Sequence, residues 1–408
     1  MRIAFYSDNF FPEISGISDS IITTGQELLR RGHEVMYVAP FYGKREYRRI
    51  ETTVSEKETA RDERNDLPVL RLPSFRFPGS PTAQSRIALP LGRSISRMRK
   101  FKPDIIHTQS PFGTGLEALF ASRRLGVPLV GTNHTPIEEF MIYNPIGGKL
   151  PQKFVRSLYT WYYNRCILVS APWAGLLETM RADGLTRESA ALPNPIRTDL
   201  YTPPSPEQKK ALRLHYGFVG PVILYAGRLA PEKHVDVILN ALSRLITIFP
   251  SLTFVVTGHG IAEEELRALA EHLAITDSVV FTGYVSSENL VELYRVADIF
   301  IIMSTAETQC LALMQGFATG LPAIGARAAA LPDYLPPDAS FIVEPGDDRK
   351  VSEYVKTLLQ DQALRERMGG AGVAFVKQFS PEKIAAQWEE VYARVLSKKQ
   401  GSPETETP

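Results

Sequence analysis

The sequence lacks the features of disulfide-rich, membrane-spanning or strongly charged proteins. Only two of its 408 residues are cysteine. Cys166 and Cys310 both lie among apolar residues, which predicts buried thiols and a reducing compartment rather than a disulfide framework. No apolar run approaches the roughly 18 residues that a membrane-spanning helix requires. The formal net charge of +1 argues against bulk binding of nucleic acid, which usually needs a clearly basic domain.

Patterns typical of metal sites and of secreted proteins are also missing. The chain has no Asp-x-Asp pair and no His/Cys cluster at ligand spacing, so we expect neither a metal ion nor another cofactor. A catalytic triad motif of the Gly-x-Ser-x-Gly type does not occur, which argues against a hydrolase. The apolar residues 2–6 are followed at once by polar Ser7, Asp8 and Asn9, so they do not form a signal-peptide core. We therefore expect a cytoplasmic protein.

The chain does have a regular alternation of strand-like and helix-like segments. Short apolar runs occur at 2–6, 34–38, 104–107, 129–133, 167–170, 222–226, 253–257, 278–281 and 299–302, with amphipathic or loop-like segments between them. Such alternation predicts an α/β protein with parallel sheets and right-handed crossovers.

Proline and charge divide the chain. Five prolines fall within residues 193–206, where neither a helix nor a central strand can continue. We therefore predict a first domain at 1–195, a linker at 196–208 and a second domain at 209–381. Residues 382–397 form a final amphipathic helix, and 398–408 a disordered tail. The charged segment 42–66 is interpreted as a mobile surface insertion.

The most informative segment follows the apolar run 298–303. Glu307 comes just after this predicted strand, and a helix at about 309–319 ends at Gly320 and Pro322. Ligands of open α/β sheets bind at the carboxyl ends of strands, and a helix N-terminus attracts phosphate. Sugar hydroxyls can donate to the carboxylate while a diphosphate meets the amides, which favours a nucleotide-sugar. If Glu307 is considered by itself, it could also be an acidic cap on an ordinary helix with no ligand.

The segment resembles the Glu-x7-Glu signature of the retaining GT-B glycosyltransferases of family four, with one departure. The second acidic position is Gln315. The resemblance implies that Glu307 holds the transferred sugar and that Gln315 meets the ribose. An amide still accepts and donates hydrogen bonds but lacks the strength of a charged partner, so we expect weaker or altered nucleotide binding rather than an inactive enzyme. The same helix mouth supplies the further nucleotide-sugar candidates Thr308, Gln309, Cys310 and Leu311.

A second motif, Gly227-Arg228 followed by Glu232-Lys233, comes after the apolar run 222–226. Cations at the carboxyl end of a strand are suited to neutralising a leaving diphosphate, and the resemblance gives Arg228 and Lys233 that role. A solvated loop with two exposed bases is the alternative. The glycines of two further turns permit close approach of a ligand to the backbone. The resemblance implies that four residues of these turns lie under or beside the nucleotide: Gly258, Gly260, Tyr284 and Val285. His259 is interpreted as a turn residue.

The first half supplies three candidates. Gly16, in the loop 9–18, resembles the flexible glycine of the family that touches the diphosphate or the acceptor. His134 follows the run 129–133 and matches the family's Thr-x-His-Thr site, so the resemblance implies contact with the transferred sugar. His107 ends the neighbouring strand and is a candidate for the same cleft, on the acceptor side. Alternatively, Gly16 is an ordinary turn residue, and His134 and His107 have structural roles.

Basic residues are concentrated locally at 86–102. In the predicted helix 91–102, Leu91, Ile95 and Met98 lie on one face, with the acceptor or membrane candidates Arg93, Arg97 and Lys100 on the other. A basic-aromatic run at 149–165 adds to this pattern. Such helices dock on anionic lipid, although ordinary amphipathic helices packed on their own domain have the same pattern. One expectation is therefore that the protein binds peripherally at the inner face of the plasma membrane; the other is that these helices only pack on their own domain.

The resemblance spans residues 1–395 and implies the GT-B architecture: two Rossmann-like domains facing across a cleft, with the last helix returning to the first domain. The function it implies is metal-independent transfer of a hexose of the glucose or mannose class from a UDP- or GDP-sugar, with retention, to an acceptor hydroxyl, such as that of a membrane glycolipid or lipid-linked acceptor. A catalytically weakened sugar-nucleotide-binding protein, a phosphorylase and an epimerase are the alternatives.

Overall fold

The computed structural model describes residues 1–13, 15–43, 47, 61–62, 67–77, 85–136 and 152–401. The chain divides into two compact units, one made of Met1–Pro195 with Pro381–Pro408 and the other of Ile196–Ser380. Residues 196–208, expected to be a linker, belong to the second unit, where Pro206 already begins a helix. Most of the charged segment 42–66 lies outside the described residues.

A parallel sheet forms the centre of the first unit. Its strands are β1 (Arg2–Tyr6), β2 (Glu34–Pro40), β3 (Arg61–Asp62), β4 (Leu67–Leu72), β7 (Ile105–Thr108), β8 (Leu129–Thr132), β9 (Leu168–Ala171) and β10 (Glu188–Ala191), while β5 (Ser74–Arg76) and β6 (Arg86–Ala88) form a separate antiparallel ribbon. The order across the sheet is β10-β9-β8-β7-β1-β2-β4-β3, with only the short β3 antiparallel to its neighbour among the described pairings. The central strands β7, β8 and β9 are buried at every residue, as expected where helices cover both faces of a parallel sheet.

Among the described residues of the first unit, five helices lie before the second unit. They are α1 (Gly16–Arg30), α2 (Ser94–Phe101), α3 (Gly113–Leu125), α4 (Gln152–Tyr163) and α5 (Ala174–Ala182). Side chains from the two faces of the sheet enter two separate cores. Ile3 and Phe5 lie in one core and Ala4 and Tyr6 in the other, as the two-residue period of a strand requires.

The second unit contains the six-stranded parallel sheet β13-β12-β11-β14-β15-β16. Its strands are β11 (Val222–Ala226), β12 (Thr253–Thr257), β13 (Val279–Gly283), β14 (Ile299–Ile302), β15 (Ala323–Ala326) and β16 (Ser340–Val343). Its helices are α6 (Pro206–Tyr216), α7 (Val235–Ser243), α8 (Glu263–His272), α9 (Ser287–Val296), α10 (Leu311–Ala318), α11 (Leu331–Tyr334), α12 (Asp348–Gln360) and α13 (Gln362–Val376). The prediction of two Rossmann-like α/β halves is confirmed.

The last helix, α14 (Pro381–Gly401), belongs to the first unit. Its apolar stripe enters the core beside α1 and the sheet, with Ile384, Trp388 and Tyr392 buried there. This confirms that the final helix returns to the first domain. The helix continues through Gly401, so residues 398–401 are helical although a disordered tail was expected from 398; residues 402–408 lie outside the described residues.

Within the described part of the chain, no helix combines the length and the apolar character needed to cross a bilayer.

Candidate functional site

Two of the sequence-predicted motifs meet at one point of the second sheet. Strands β11 and β14 are neighbours, and from this pair the chain winds outward in opposite directions, to β12 and β13 on one side and to β15 and β16 on the other. Ligands of doubly wound sheets bind outside the carboxyl ends of the strands at such a switch point. Arg228 and Lys233 follow β11, while Glu307 follows β14.

Lys233 lies at the centre of this junction. It ends a single 3₁₀ turn, Pro231–Lys233, and is nearly buried. Its ammonium nitrogen lies 2.8 Å from Oε1 of Glu307, 3.1 Å from the Ala306 carbonyl oxygen and 3.3 Å from Oγ of Ser304. An ammonium has three donors, so these three acceptors use all of them. Lys233 therefore fixes the Glu307 carboxylate and the loop after β14.

Arg228 is held in the same loop by local contacts. Its guanidinium donates to Oε1 of Glu232 at 2.8 Å, and its carbonyl oxygen accepts from the buried hydroxyl of Tyr225 at 2.8 Å. The carbonyl of Glu232 in turn accepts from the amide of Thr305, at 3.0 Å, which ties the loop after β11 to the loop after β14. The Arg228 side chain is half-buried and paired with Glu232. Its charge therefore has a fixed position at the switch point, unlike that of an arginine on an exposed surface loop.

Helix α10 starts at Leu311, two residues later than expected, with Cys310 at its N-cap position. The first amides of a helix attract anions, and here they follow Glu307 directly. Gln309 and Cys310 are buried, so a ligand at this helix mouth would meet their backbone rather than their side chains, and their part in nucleotide-sugar binding stays a prediction. Burial raises the pKa of the Cys310 thiol, which keeps it protonated. Thr308 and Leu311 are half-buried.

The glycines of the neighbouring loops have a role in loop packing that the sequence did not indicate. A Cβ at Gly258 would lie 1.9 Å from the Gly227 carbonyl oxygen, and one at Gly260 would lie 2.0 Å from that of Leu229. The loops after β11 and β12 touch backbone to backbone, with Gly227 donating to the Thr257 carbonyl at 3.0 Å. These glycines are therefore required by loop packing within the protein, whether or not a ligand approaches.

The third neighbouring loop carries Tyr284 and Val285. Tyr284 is exposed, with its ring 5.9 Å from that of His259, and Val285 is half-buried. His259 is paired with Glu263 at 2.5 Å in α8, which agrees with a role in the turn rather than in catalysis. These residues border the carboxyl ends of β12 and β13, next to the switch point.

Gln315 has a partner that sequence reasoning missed. Its side-chain oxygen Oε1 lies 3.2 Å from the hydroxyl of Tyr294, a fully buried residue of α9. The same hydroxyl donates to the Ala312 carbonyl at 2.9 Å. No local motif pairs residues 294 and 315, because the contact depends on α9 and α10 lying side by side.

The first unit has its own switch point, between β1 and β7. Asp8 is buried there and accepts hydrogen bonds from the amides of Ala88 and Thr114, each at 3.1 Å, and from Oγ of Ser110 at 2.8 Å. Burial nevertheless raises its pKa. These contacts make Asp8 a tie between loops, and sequence reasoning did not single it out.

Glu13 is a second buried acid of this edge that sequence reasoning did not single out. Its carboxylate accepts hydrogen bonds from Ser85 at 2.7 Å, Tyr42 at 3.1 Å and Asn9 at 3.2 Å. Burial raises its pKa to about 7, more than these hydrogen bonds lower it. Nearby Gly16 is exposed at the start of α1, where the Ser15 hydroxyl caps the helix by accepting from the Ser18 amide.

His134 follows β8 and is partly buried. Its Nε2 donates to Oε1 of the buried Gln109 at 2.7 Å, which fixes the ring tautomer. Burial lowers the His134 pKa to about 4, so the imidazole is neutral at physiological pH. A neutral imidazole offers hydrogen bonds to hydroxyl groups rather than charge to a phosphate. Gln109 is a further residue that sequence reasoning missed.

His107 is not available to an acceptor, contrary to the sequence interpretation. It is buried, and its two ring nitrogens lie 2.8 Å from the Tyr392 hydroxyl and 2.7 Å from Oγ1 of Thr132. Trp388 of α14 covers its ring at a centroid distance of 4.5 Å. Burial holds the His107 pKa well below its usual value, so this histidine is a neutral link between the sheet and α14.

The basic candidates of 91–102 are on the surface as predicted, around helix α2. Met98 is buried, while Leu91 is 58% exposed beside Ile95 and, from α3, Phe120 at 44%. These apolar side chains line a hollow of about 540 Å³. None of the surrounding basic residues forms an ion pair with any described residue; they are Arg93, Arg97, Arg99, Lys100, Lys102, Arg123 and Arg124.

Two family models match the chain in its two halves. Residues 14–200 match the model described as glycosyltransferase family 4, and residues 219–391 match the model described as glycosyl transferases group 1. The chain belongs to the group 1 glycosyltransferases of family four.

Similar proteins include other glycosyltransferases. An alpha-monoglucosyldiacylglycerol synthase of Streptococcus pneumoniae is 28% identical over 79% of this chain and 70% of its own. A GDP-mannose-dependent alpha-mannosyltransferase of Mycobacterium tuberculosis is 27% identical over 85% of this chain and 84% of its own. Among solved structures, Anabaena HepE in complex with UDP and glucose superposes with a TM-score of 0.75 and 19% identity, over 97% of this chain and all of that chain.

The switch point of this glycosyltransferase thus contains a fixed arginine, a lysine-glutamate pair and the mouth of a helix. Ser304, which is completely buried, supports the arrangement by accepting from Lys233 and from the amide of Ala306. Groups of three or more potential metal-ligating side chains are not found among the described residues. The arrangement can bind an anionic group at the cations and orient hydroxyl groups at the carboxylate.

Proposed function

We propose that this glycosyltransferase moves a hexose of the glucose or mannose class from a UDP- or GDP-sugar to an acceptor hydroxyl, retaining the anomeric configuration and using no metal ion. The observation that carries the proposal is the pairing of Lys233 with Glu307 at the switch point, next to Arg228. The names of the two relatives support both sugar classes and a GDP-linked donor, and the structural neighbour supports a UDP-linked one.

The roles proposed for these residues follow from where negative charge develops during sugar transfer. As the bond between the anomeric carbon and the phosphate oxygen breaks, negative charge grows on the diphosphate, and Arg228 with the amides at the start of α10 stabilises it. The Arg228 guanidinium there takes the part that a metal ion plays in metal-dependent transferases. Glu307, fixed by Lys233, accepts hydrogen bonds from the sugar. The acceptor hydroxyl attacks from the face that the diphosphate leaves, and a departing phosphate oxygen takes its proton.

Replacement of Arg228 tests this assignment. Arg228→Ala removes one charge-stabilising donor, so we expect turnover to fall by about a hundredfold with the donor that a screen of UDP- and GDP-sugars identifies. Arg244→Ala is the matched control, because Arg244 pairs with Asp348 on the surface of the same unit. Activity should survive excess EDTA, and the product should have the donor's anomeric configuration by NMR. Near-normal turnover of Arg228→Ala or an inverted product refutes the proposal.

Gln315 favours one alternative, a sugar-nucleotide-binding protein with weakened catalysis. Gln315→Glu restores the charged pattern of the family. If the native amide suits the donor, this variant alters nucleotide preference only modestly. If the site has decayed, the parent binds neither UDP nor GDP in calorimetry. A phosphorylase would instead cleave a glycoside in the presence of phosphate, and an epimerase would change the sugar without an acceptor.

For the acceptor, we propose a lipid at an anionic membrane surface. The hollow is lined by the exposed side chains of Leu91 and Phe120 and by half-buried Ile95. The basic residues around it have no ion-pair partner among the described residues. Each base near an anionic surface contributes about 1 kcal/mol, so several together give reversible, salt-sensitive binding.

The aromatic residues of α4 differ in exposure. Phe154 and Trp161 are exposed, whereas Tyr162 and Tyr163 are buried. Lys149 of the same basic-aromatic run lies outside the described residues.

Co-sedimentation with vesicles tests this part. The protein should bind phosphatidylglycerol-containing vesicles and not pure phosphatidylcholine vesicles, and binding should fall when salt is raised. The double variant Arg123→Ala/Arg124→Ala and the variant Phe120→Ser should each weaken it. Leu214→Ser is the control, because Leu214 is 84% exposed but lies in the second unit. Equal, negligible binding to both vesicle types favours a soluble acceptor.

A further inference from the structure

Helix α4 is apolar on its outer side as well as on its inner side. Phe154, Leu158 and Trp161 are 57%, 55% and 42% exposed. Their spacing of four and then three residues places them on one stripe of the helix. The inner side is also apolar, since Tyr162 and Tyr163 are buried in the core. The outer side of a surface helix normally carries polar residues, so this stripe indicates a binding surface.

The charges beside the stripe have one sign. Residues 149–165 contain no aspartate or glutamate. The guanidinium carbon of Arg165 lies 3.6 Å from the centre of the Trp161 ring, and the guanidinium also donates to the Trp161 carbonyl oxygen at 2.6 Å. Neither contact neutralises the charge, and Arg165 forms no ion pair with a described residue. The stripe therefore ends at a cation that is available to an anionic group.

The stripe lies on the same side of the first unit as the hollow between α2 and α3. Leu119 of α3 and Tyr162 of α4 share one core, so both helices cover the same face of the sheet. Burial and the charge of Arg123, which lines the hollow, lower the pKa of Arg165. Arg123 also forms no ion pair with a described residue. Two such cations within electrostatic reach of each other attract anions.

We propose that α4 lies in the interface of an anionic membrane, with Phe154, Leu158 and Trp161 among the lipids and Arg165 at the head-group phosphates. This inference rests on the proposed lipid acceptor and adds the element that enters the bilayer. Tryptophan is favoured at such interfaces, and arginine binds phosphate oxygens. A second copy of the chain fits less well, because a symmetric contact would bring the same unpaired arginines against each other.

Tryptophan fluorescence tests the insertion. Trp161 is the most exposed of the three tryptophans, since Trp388 is buried and Trp173 is half-buried. The emission of the wild type minus that of Trp161→Phe isolates the Trp161 signal. With phosphatidylglycerol-containing vesicles this signal should shift to shorter wavelength. Lipids brominated near the head group should quench it more than lipids brominated near the chain end, because an interfacial helix lies at shallow depth. Pure phosphatidylcholine vesicles should leave it unchanged.

Co-sedimentation of two variants tests the contacts. Leu158→Ser should weaken binding to phosphatidylglycerol-containing vesicles about fivefold, because about half of a leucine side chain is no longer transferred from water. Arg165→Gln should weaken binding by a similar factor at low salt and much less at high salt, since its contribution is electrostatic. The matched controls lie in the second unit and are Leu214→Ser and Arg244→Gln.

The outcomes separate this inference from the proposed function. Vesicle binding without a shift of the Trp161 emission, and with unchanged affinity of Leu158→Ser, overturns the inference but leaves the proposed lipid acceptor. No binding to either vesicle type overturns both, while sugar transfer to a soluble acceptor would still stand. A Trp161 shift that grows with protein concentration in the absence of vesicles means that a second copy covers the stripe, which also overturns the inference.

Discussion

Replacement of Lys233 by methionine should reveal how strongly the site depends on its ion pair. The change keeps most of the side-chain volume but removes the ammonium group that meets Glu307 at 2.8 Å. Only 11% of the Lys233 side chain and 14% of the Glu307 side chain are exposed, so water cannot fully replace the lost partner. The carboxylate is then left desolvated and unpaired, and the acceptors Ser304 and Ala306 lose their donor.

The size of the effect follows from these contacts. Breaking a buried pair by removing one partner costs about 3–5 kcal/mol, and the residual exposure of both groups places this pair near about 3 kcal/mol. In a unit of this size, each 1 kcal/mol shifts the melting temperature by about 2–4 °C, which gives about 6–12 °C here. Lys350→Met is the matched control. Lys350 pairs with Glu353 at 2.7 Å on the surface, where such a pair contributes at most about 1 kcal/mol.

Calorimetric melting of Lys233→Met, Glu307→Gln and the double variant checks the reasoning. Since Glu307→Gln removes the isolated charge, the double variant should be more stable than Lys233→Met alone, by about 1–2 kcal/mol. Strictly additive losses, or a melting temperature of Lys233→Met within 2 °C or so of the parent, would show that the pair is solvated and that Lys233 does not fix Glu307.

Two further predictions concern pH and loop packing. Because burial raises the pKa of Glu13 to about 7 from an unfolded value of 4.5, the folded state holds the proton more tightly, so stability should fall by about 3 kcal/mol as pH rises from 4.5 to 7. Glu13→Gln should remove this loss, and melting temperatures from pH 4.5 to 8 should then show the variant gaining on the parent; a constant difference would refute the assignment. Gly260→Ala places a Cβ 2.0 Å from the Leu229 carbonyl oxygen and should destabilise the protein by about 1–3 kcal/mol. The control Gly370→Ala, in an exposed turn of α13 with no atom within 4 Å of the new Cβ, should stabilise it by about 0.5–1 kcal/mol in urea unfolding; equal effects of the two would contradict the loop contact.

The sequence alone determined the fold class and the loops that carry the site. Apolar runs such as 222–226 and 299–302 were recognisable as strands because a strand covered on both faces must be apolar throughout. Arg228 and Glu307 could be assigned to loops at carboxyl ends because each directly follows such a run. The family resemblance, carried by these residues and by Lys233, is confirmed by the match of both halves of the chain.

Only the tertiary structure decided which of these residues meet, since strand order and helix packing depend on contacts between distant parts of the chain. Lys233 reaches Glu307 because β14 lies beside β11 rather than beside its predecessor in sequence, β13. His107 has the same local context as His134, yet α14, nearly 300 residues further on, buries it. Tyr294 meets Gln315 through the packing of two helices, which no local pattern encodes. Local chemistry predicts the elements and their ends, whereas the burial and partners of each side chain arise only when the elements pack.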